Sequence, residues 1–237
     1  LSKNVYLGAV PEDIPLYSAE WVSLNSEKVN RLIKNLETSG LNPDFIRLQT
    51  LKYHCDFYLQ RLNGPTNTAM FAPQLKIELA DDFYDFMKEI YFSDSSLVQM
   101  PKWFNMILGT FEQMEKKGWI EVSPDKYMEI YAKRIKNEKV RSMFLVELLN
   151  FTLQKGFADD FPAYLEGVRP YITHPEALKA LPALETRYRE SREAHKTILR
   201  GQVAPEFKAV DVKGKEYTSA DFKGRVQVLD FWFTGCV

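Results

Sequence analysis

The chain has 237 residues, 45% of them apolar and 27% charged, with 31 Lys plus Arg set against 32 Asp plus Glu. That composition folds rather than staying disordered, and a chain of this length buries a core without disulfide staples. A formal charge of -1 excludes the concentrated basic face of a dedicated nucleic-acid binder and a polybasic membrane clamp.

The opening residues 1–17 carry Val5-Tyr6-Leu7 and two prolines and read as the end of an upstream module. The first helix is predicted from Ser18 to Ser39. Val29, Leu32, Ile33 and Leu36 form its apolar stripe, and Gly40 supplies the stop. A second helix starts at Asn42-Pro43, with Asn as N-cap and Pro in the first turn. Its stripe is Phe45, Leu48, Leu51 (or Lys52), Cys55, Leu59 and Leu62, and Asn63-Gly64-Pro65 is expected to end it. A polar loop then runs to about Gln74.

Asp81 or Asp82 caps a short third helix with Phe83, Phe86, Met87 and Ile90. A fourth carries Trp103, Phe104, Ile107, Leu108, Phe111 and Met114 and stops at Gly118. Ser123-Pro124 opens a fifth, with Tyr127, Ile130, Tyr131 and Ile135, and Lys136-Asn137-Glu138 breaks it. The sixth, Glu138 to Lys155, is apolar nearly all round and is expected to be the central buried helix. Asp159 or Asp160 caps a seventh bearing Phe161, Tyr164, Leu165 and Val168. Thr173-His174-Pro175-Glu176 fits a capping box for the last helix. Pro182 is expected to kink or split that helix, and Glu185 and Arg189 stand at ion-pair spacing beyond it.

These segments predict a mainly α domain over 18–200, an irregular antiparallel bundle of about eight helices. No consensus recurs at a fixed period, which argues against a repeat array.

The chemistry-bearing residues of this part read as structural. Cys55 lies on an apolar stripe and reads as a small buried hydrophobe. His54 points about 100° away from it, a poor geometry for a Cys-His pair. His174 reads as a capping residue and His195 as part of an exposed charged face. Asp81, Asp82, Asp85 and Glu89 read as acids at a helix start, where the dipole favours them, ahead of an acid-base pair. The 14% aromatic content reads as core, with an aromatic-lined groove for an extended peptide as the sharper alternative.

Neither GxGxxG nor GxxxxGK[ST] occurs, which removes the dinucleotide and P-loop signatures. Three histidines, none spaced as a helical zinc motif, and two distant cysteines give no zinc pattern, so neither metal nor cofactor is expected. No apolar run approaches the ~18–20 residues of a membrane span. The chain begins at Leu1 and reads as a processed product, so a missing signal peptide says nothing of location.

The texture changes at Arg200-Gly201-Gln202-Val203-Ala204-Pro205. Residues 201–237 form a second segment. A strand is predicted from Phe207 to Val212, a turn at Lys213-Gly214, and a returning strand from Lys215 to Thr218. Ser219 to Phe222 is a short capped turn, followed by Lys223-Gly224. Val226 to Phe233 is a buried-strand run that ends in Thr234-Gly235-Cys236-Val237. A cysteine at a strand-to-helix junction has its thiolate stabilised by backbone N–H groups and the helix dipole, which lowers its pKa and makes it nucleophilic.

This tail resembles the start of the thioredoxin-fold domain of TlpA/ResA-like thiol-disulfide oxidoreductases. The matching residues are Ala204, Pro205 and Phe207, then Lys223-Gly224, and Phe231-Trp232-Phe233-Thr234-Gly235-Cys236. The resemblance implies that Cys236 is the first, nucleophilic cysteine of a Cys-x-x-Cys motif, flanked by Trp232, Phe233, Thr234 and Gly235. It implies the first strands of an incomplete α/β domain in a chain truncated at that cysteine, the fragment itself being inactive. The intact protein would reduce or exchange disulfides of a protein or peptide substrate in the periplasm or cell envelope. It would work with a redox partner protein, and the helical domain would position a partner or pair two copies of the chain. The rival reading is a non-catalytic helical module binding protein or peptide. A thiol peroxidase of the peroxiredoxin (AhpC/TSA) class ranks lower: its Pro-x-x-x-Thr-x-x-Cys motif would need Thr and Pro where Phe233 and Leu229 stand.

Overall fold

The computed structural model describes residues 14–88, 92–154, 160–194, 203–228 and 230. The chain divides into two compact units, Leu1–Thr186 and Arg187–Val237. Among the described residues there are seven α-helices: α1 (Ala19–Glu37), α2 (Pro43–Phe71), α3 (Trp103–Lys116), α4 (Tyr127–Arg134), α5 (Glu138–Gln154), α6 (Phe161–Val168) and α7 (Pro175–Ala194). No helix of the described residues is long and apolar enough to cross a membrane.

Helix α1 starts where Ser18 Oγ accepts the Trp21 N–H at 3.2 Å. It stops before Gly40, whose φ of +71° suits a residue without Cβ. Asn42 Oδ1 accepts the N–H groups of Asp44 and Phe45 and caps α2. The two helices pack together, α2 packs on α3, and α5 sits among α3, α4 and α6.

The expected stop of α2 at residues 63–65 does not occur: the helix runs on to Phe71. The cause is tertiary. The Tyr17 ring occupies the space that a side chain at Gly64 would need, and a Cβ there would come within 2.5–2.8 Å of Tyr17 Oη, Cε1 and Cζ. Beyond the Gly-Pro step, Tyr17 Oη hydrogen-bonds Thr68 Oγ1 at 2.9 Å, and Pro65 is buried. Tyr17, Trp21, Leu62, Phe83, Tyr84 and Met87 close around this point as one cluster. Phe45, expected on the core stripe, is 47% exposed; α2 starts beyond the reach of that cluster.

The predicted third helix contracts to a 3₁₀ turn, Asp85–Met87. The i to i+3 bonds from Phe83, Asp85 and Met87 N–H to Ala80, Asp82 and Tyr84 carbonyls bring residues three apart onto one face. Tyr84 and Met87 are thereby buried together. Ile90 lies outside the described residues.

Helix α5 is the buried centre, as its composition predicts: Val140, Phe144, Leu145 and Leu149 have no exposed surface. Around it Phe111 stacks on Tyr131 at 4.4 Å, and Phe104 meets Phe144 at 5.5 Å. Asn137 Oδ1 accepts the Val140 N–H at its start, which places the predicted break.

The start of α7 differs from the expected capping box. The N–H groups of Thr173 and His174 both donate to Ser142 Oγ of α5, each at 3.1 Å. The cap moves to His174, whose Nδ1 accepts from Glu176 N–H, and Glu176 pairs with Lys139 at 2.8 Å instead. Helix α7 is not split at Pro182. Glu185 pairs with Arg169 at 2.7 Å. The fifth predicted helix begins at Tyr127, after a turn at residues 124–126.

Cys55 is 6% exposed and sits in the core as predicted. Burial, reinforced by Asp56 and Asp94, pushes its thiol up from the ordinary 9.0 to about 12. Burial likewise raises the phenols of Tyr58, Tyr127 and Tyr131 above 10.0.

Two outcomes are expected. Gly64→Ala lowers stability by about 1–3 kcal/mol in urea unfolding, although Ala is the better helix former by about 1 kcal/mol, because Cβ displaces the Tyr17 ring. The second concerns pH. The folded chain holds the Cys55 and tyrosine protons more tightly than the unfolded chain does. Their contribution is therefore intact below the ordinary values and is lost as pH rises through the raised ones. The urea midpoint, followed by far-UV circular dichroism, falls steadily above pH ~9, and Cys55→Ala removes the earliest part of that fall.

Candidate functional site

The tail forms a hairpin, with β1 (Lys208–Val210) antiparallel to β2 (Glu216–Thr218), Ala209 opposite Tyr217. Both strands are shorter than predicted but lie where predicted. The turn is built by Asp211. Its side chain accepts the N–H groups of Lys213 (2.8 Å) and Lys215 (3.0 Å), its carbonyl takes the Gly214 N–H, and Gly214 has φ +81°. Lys208 pairs with Glu216 across the strands at 2.9 Å.

After β2 comes the short capped turn, a 3₁₀ segment Ser219–Phe222. Asp221 Oδ2 accepts from the Thr218 N–H at 2.7 Å and the Thr218 hydroxyl at 3.0 Å. Those bonds, the backbone one first, hold the Asp221 carboxyl below its ordinary 3.8. Phe222 lies between Phe207 (6.2 Å) and Tyr217 (6.0 Å). The Ser219 N–H donates to the Phe207 carbonyl, so entry segment, hairpin and turn form one small unit. Gly224, at φ +82°, then redirects the chain.

The predicted buried strand Val226–Phe233 is corrected in its described part. Val226 and Val228 are 97% and 89% exposed and belong to no strand. A buried strand needs neighbours on both edges, and among the described residues the tail has only the β1–β2 pair. Leu229 and residues 231–237 lie outside the described residues. These include the whole candidate site: Trp232, Phe233, Thr234, Gly235 and Cys236.

Among the described residues, the other chemistry-bearing side chains are not brought together into a cluster of metal-ligating type. His54 is exposed while Cys55 beside it is buried. Asp85 pairs with Lys88 at 2.8 Å; Glu89 and His195 lie outside the described residues. No group of three or more His, Cys, Asp or Glu among the described residues could hold a metal ion.

One feature escaped the sequence reading. An open cleft of about 470 Å³ is lined by Glu37, Ile46, Arg47, Thr50, His54 and Asp94, among others. Arg47, Thr50 and His54 recur at helical spacing beside the stripe taken for the core, which was the available signal. Arg47 is already engaged, donating to Ser96 Oγ at 2.7 Å. The cleft therefore combines mixed charge with apolar side chains.

Among known families, the SCO1/SenC family model matches residues 195–237. That family has a thioredoxin-like fold and redox or copper-chaperone roles, so a thioredoxin-like character of the tail is consistent with the match. No curated protein matches the chain. No solved structure matches it either.

The hairpin makes a checkable prediction. Asp221 has a lowered folded-state pKa, so its contribution is present above the ordinary value and lost as pH falls through the lowered one. The Thr218 amide resonance should move with a midpoint below 3.8, and Asp221→Asn should abolish that titration.

Proposed function

We propose that residues 201–237 are the front of a thioredoxin-like thiol-disulfide oxidoreductase domain, in which Cys236 is the attacking thiolate. The observation that carries this reading is the family match over residues 195–237. Support comes from the hairpin and capped turn that lead to Trp232-Phe233-Thr234-Gly235-Cys236. In this scheme the Cys236 thiolate attacks a substrate disulfide. A mixed disulfide forms and one substrate thiolate leaves; a second cysteine thiolate of the intact protein then attacks the Cys236 sulfur, forming an intramolecular disulfide and expelling the other substrate thiolate. The TlpA/ResA-type subgroup is our finer assignment. The substrate is a protein or peptide disulfide, a separate redox partner restores the dithiol, and the setting is the periplasm or cell envelope. The helical unit positions a partner or pairs two copies.

Copper handling is the second reading, favoured by the same family match. A thiolate is a soft ligand suited to Cu(I), which would be cargo rather than a resident cofactor.

One variant separates the readings. In the full-length protein, Cys236→Ser abolishes reduction of insulin disulfides, while Cys55→Ser retains it within about twofold, because a buried thiol with a raised pKa is not a nucleophile. Wild-type protein that reduces no disulfide but loses Cu(I) binding on Cys236→Ser would establish the second reading.

A further inference from the structure

The segment Leu75–Ala80, between the polar loop and the expected third helix, carries an isolated bridge with one open edge. Leu16 and Ile77 form a parallel bridge. The Leu16 N–H donates to the Lys76 carbonyl at 3.1 Å, and the Glu78 N–H donates to the Leu16 carbonyl at 3.0 Å. Planar trans peptides set N–H and C=O of one unit on opposite sides. With the Lys76 carbonyl and Glu78 N–H turned toward Leu16, the Ile77 N–H and carbonyl both face the other way. Neither has a hydrogen-bond partner among the described residues. An unpaired strand edge is a template for a further strand.

The side chains around this edge suit an apolar visitor. The Ile77 side chain packs against the Tyr17–Trp21 cluster. Leu75 and Leu79, two residues to either side, are each 43% exposed, and Phe71 at the end of α2 is 72% exposed. Leu75 is tied back beside Phe71 by its N–H bond to the Ala72 carbonyl. Along the same stretch Glu78, Asp81 and Asp82 are exposed, against a single cation, Lys76. None of these three acids forms an ion pair among the described residues, and Asp85 beyond them is neutralised by Lys88.

From this geometry and charge we infer that the Ile77 edge binds an extended polypeptide segment of a partner protein. The segment is apolar at alternate positions and basic between them, and it adds as a strand beside Leu75–Leu79. Backbone bonds to Ile77 fix it, the leucines and Phe71 take its apolar side chains, and the acids take its cations. This inference involves no thiol step and stands apart from the role of Cys236.

The test uses the full chain and a short fluorescein-labelled peptide alternating valine and lysine. Anisotropy should report saturable binding, and the Ile77 amide proton should gain protection from exchange. Methylating the peptide's backbone nitrogens on its bonding edge should weaken binding at least tenfold, with the protein left unaltered. Glu78→Lys should weaken it several-fold, and a valine–glutamate peptide should not bind. Equal binding by the methylated peptide, or an unprotected Ile77 amide, overturns strand addition. Equal binding of the glutamate peptide overturns the basic partner. Concentration-dependent dimerisation of the chain alone that protects Ile77 assigns the edge to a second copy and overturns the proposal as stated.

Discussion

The helical unit depends on one steric fit: the Tyr17 ring against the bare backbone at Gly64. Gly and Pro in sequence ordinarily end a helix, and their combined cost in a helix interior is about 4 kcal/mol. Each large apolar side chain buried nearby returns about 1.5–3 kcal/mol, and six close around this point. Burial therefore wins, and α2 continues. Tyr17 itself adopts φ +66°, an uncommon conformation for a residue with a side chain. The fit is thus set from both partners, a strained backbone on one side and an absent Cβ on the other. The residue before the ring, Leu16, is bridged to Ile77.

The tail is held by other means. Its hairpin has little apolar burial and relies on local polar geometry: Asp211 folds the turn, Thr218 and Asp221 lock the next one, and Lys208 pairs with Glu216. Such bonds are individually modest in water. They fix direction more than they add stability.

Much of the helical architecture was legible from local rules. Ser18 and Asn42 cap as their side-chain oxygens demand, Gly40 and Gly118 stop helices, and the all-round apolar composition of α5 marks the centre. What was not legible is decided by residues distant in sequence. Pro65 is carried by Tyr17, the cap of α7 is displaced by Ser142, and Glu185 reaches Arg169, sixteen residues away. The 3₁₀ turn at Asp85–Met87 belongs to the same class, since burial of Tyr84 and Met87 on one face outweighs α-helical propensity. For the candidate site, residue pattern was the whole signal. Cys236 is singled out by its context, Phe231 to Gly235, while Cys55 was read as core from periodicity alone, and its burial bears that reading out.

The unbroken length of α2 makes it a ruler. Its 29 residues span about 43 Å at 1.5 Å per residue. Its Asn42 cap lies at one end, and its seat for Tyr17 lies in the last third. Inserting or deleting one residue between them would turn every later side chain by about 100° and slide it by about 1.5 Å, so Thr68 and Gly64 would no longer face the ring. Changes of chain length are therefore confined to the flanking segments, residues 38–42 and 72–82, where the backbone is already irregular. Within α2 the protein can drift in residue identity but not in residue number.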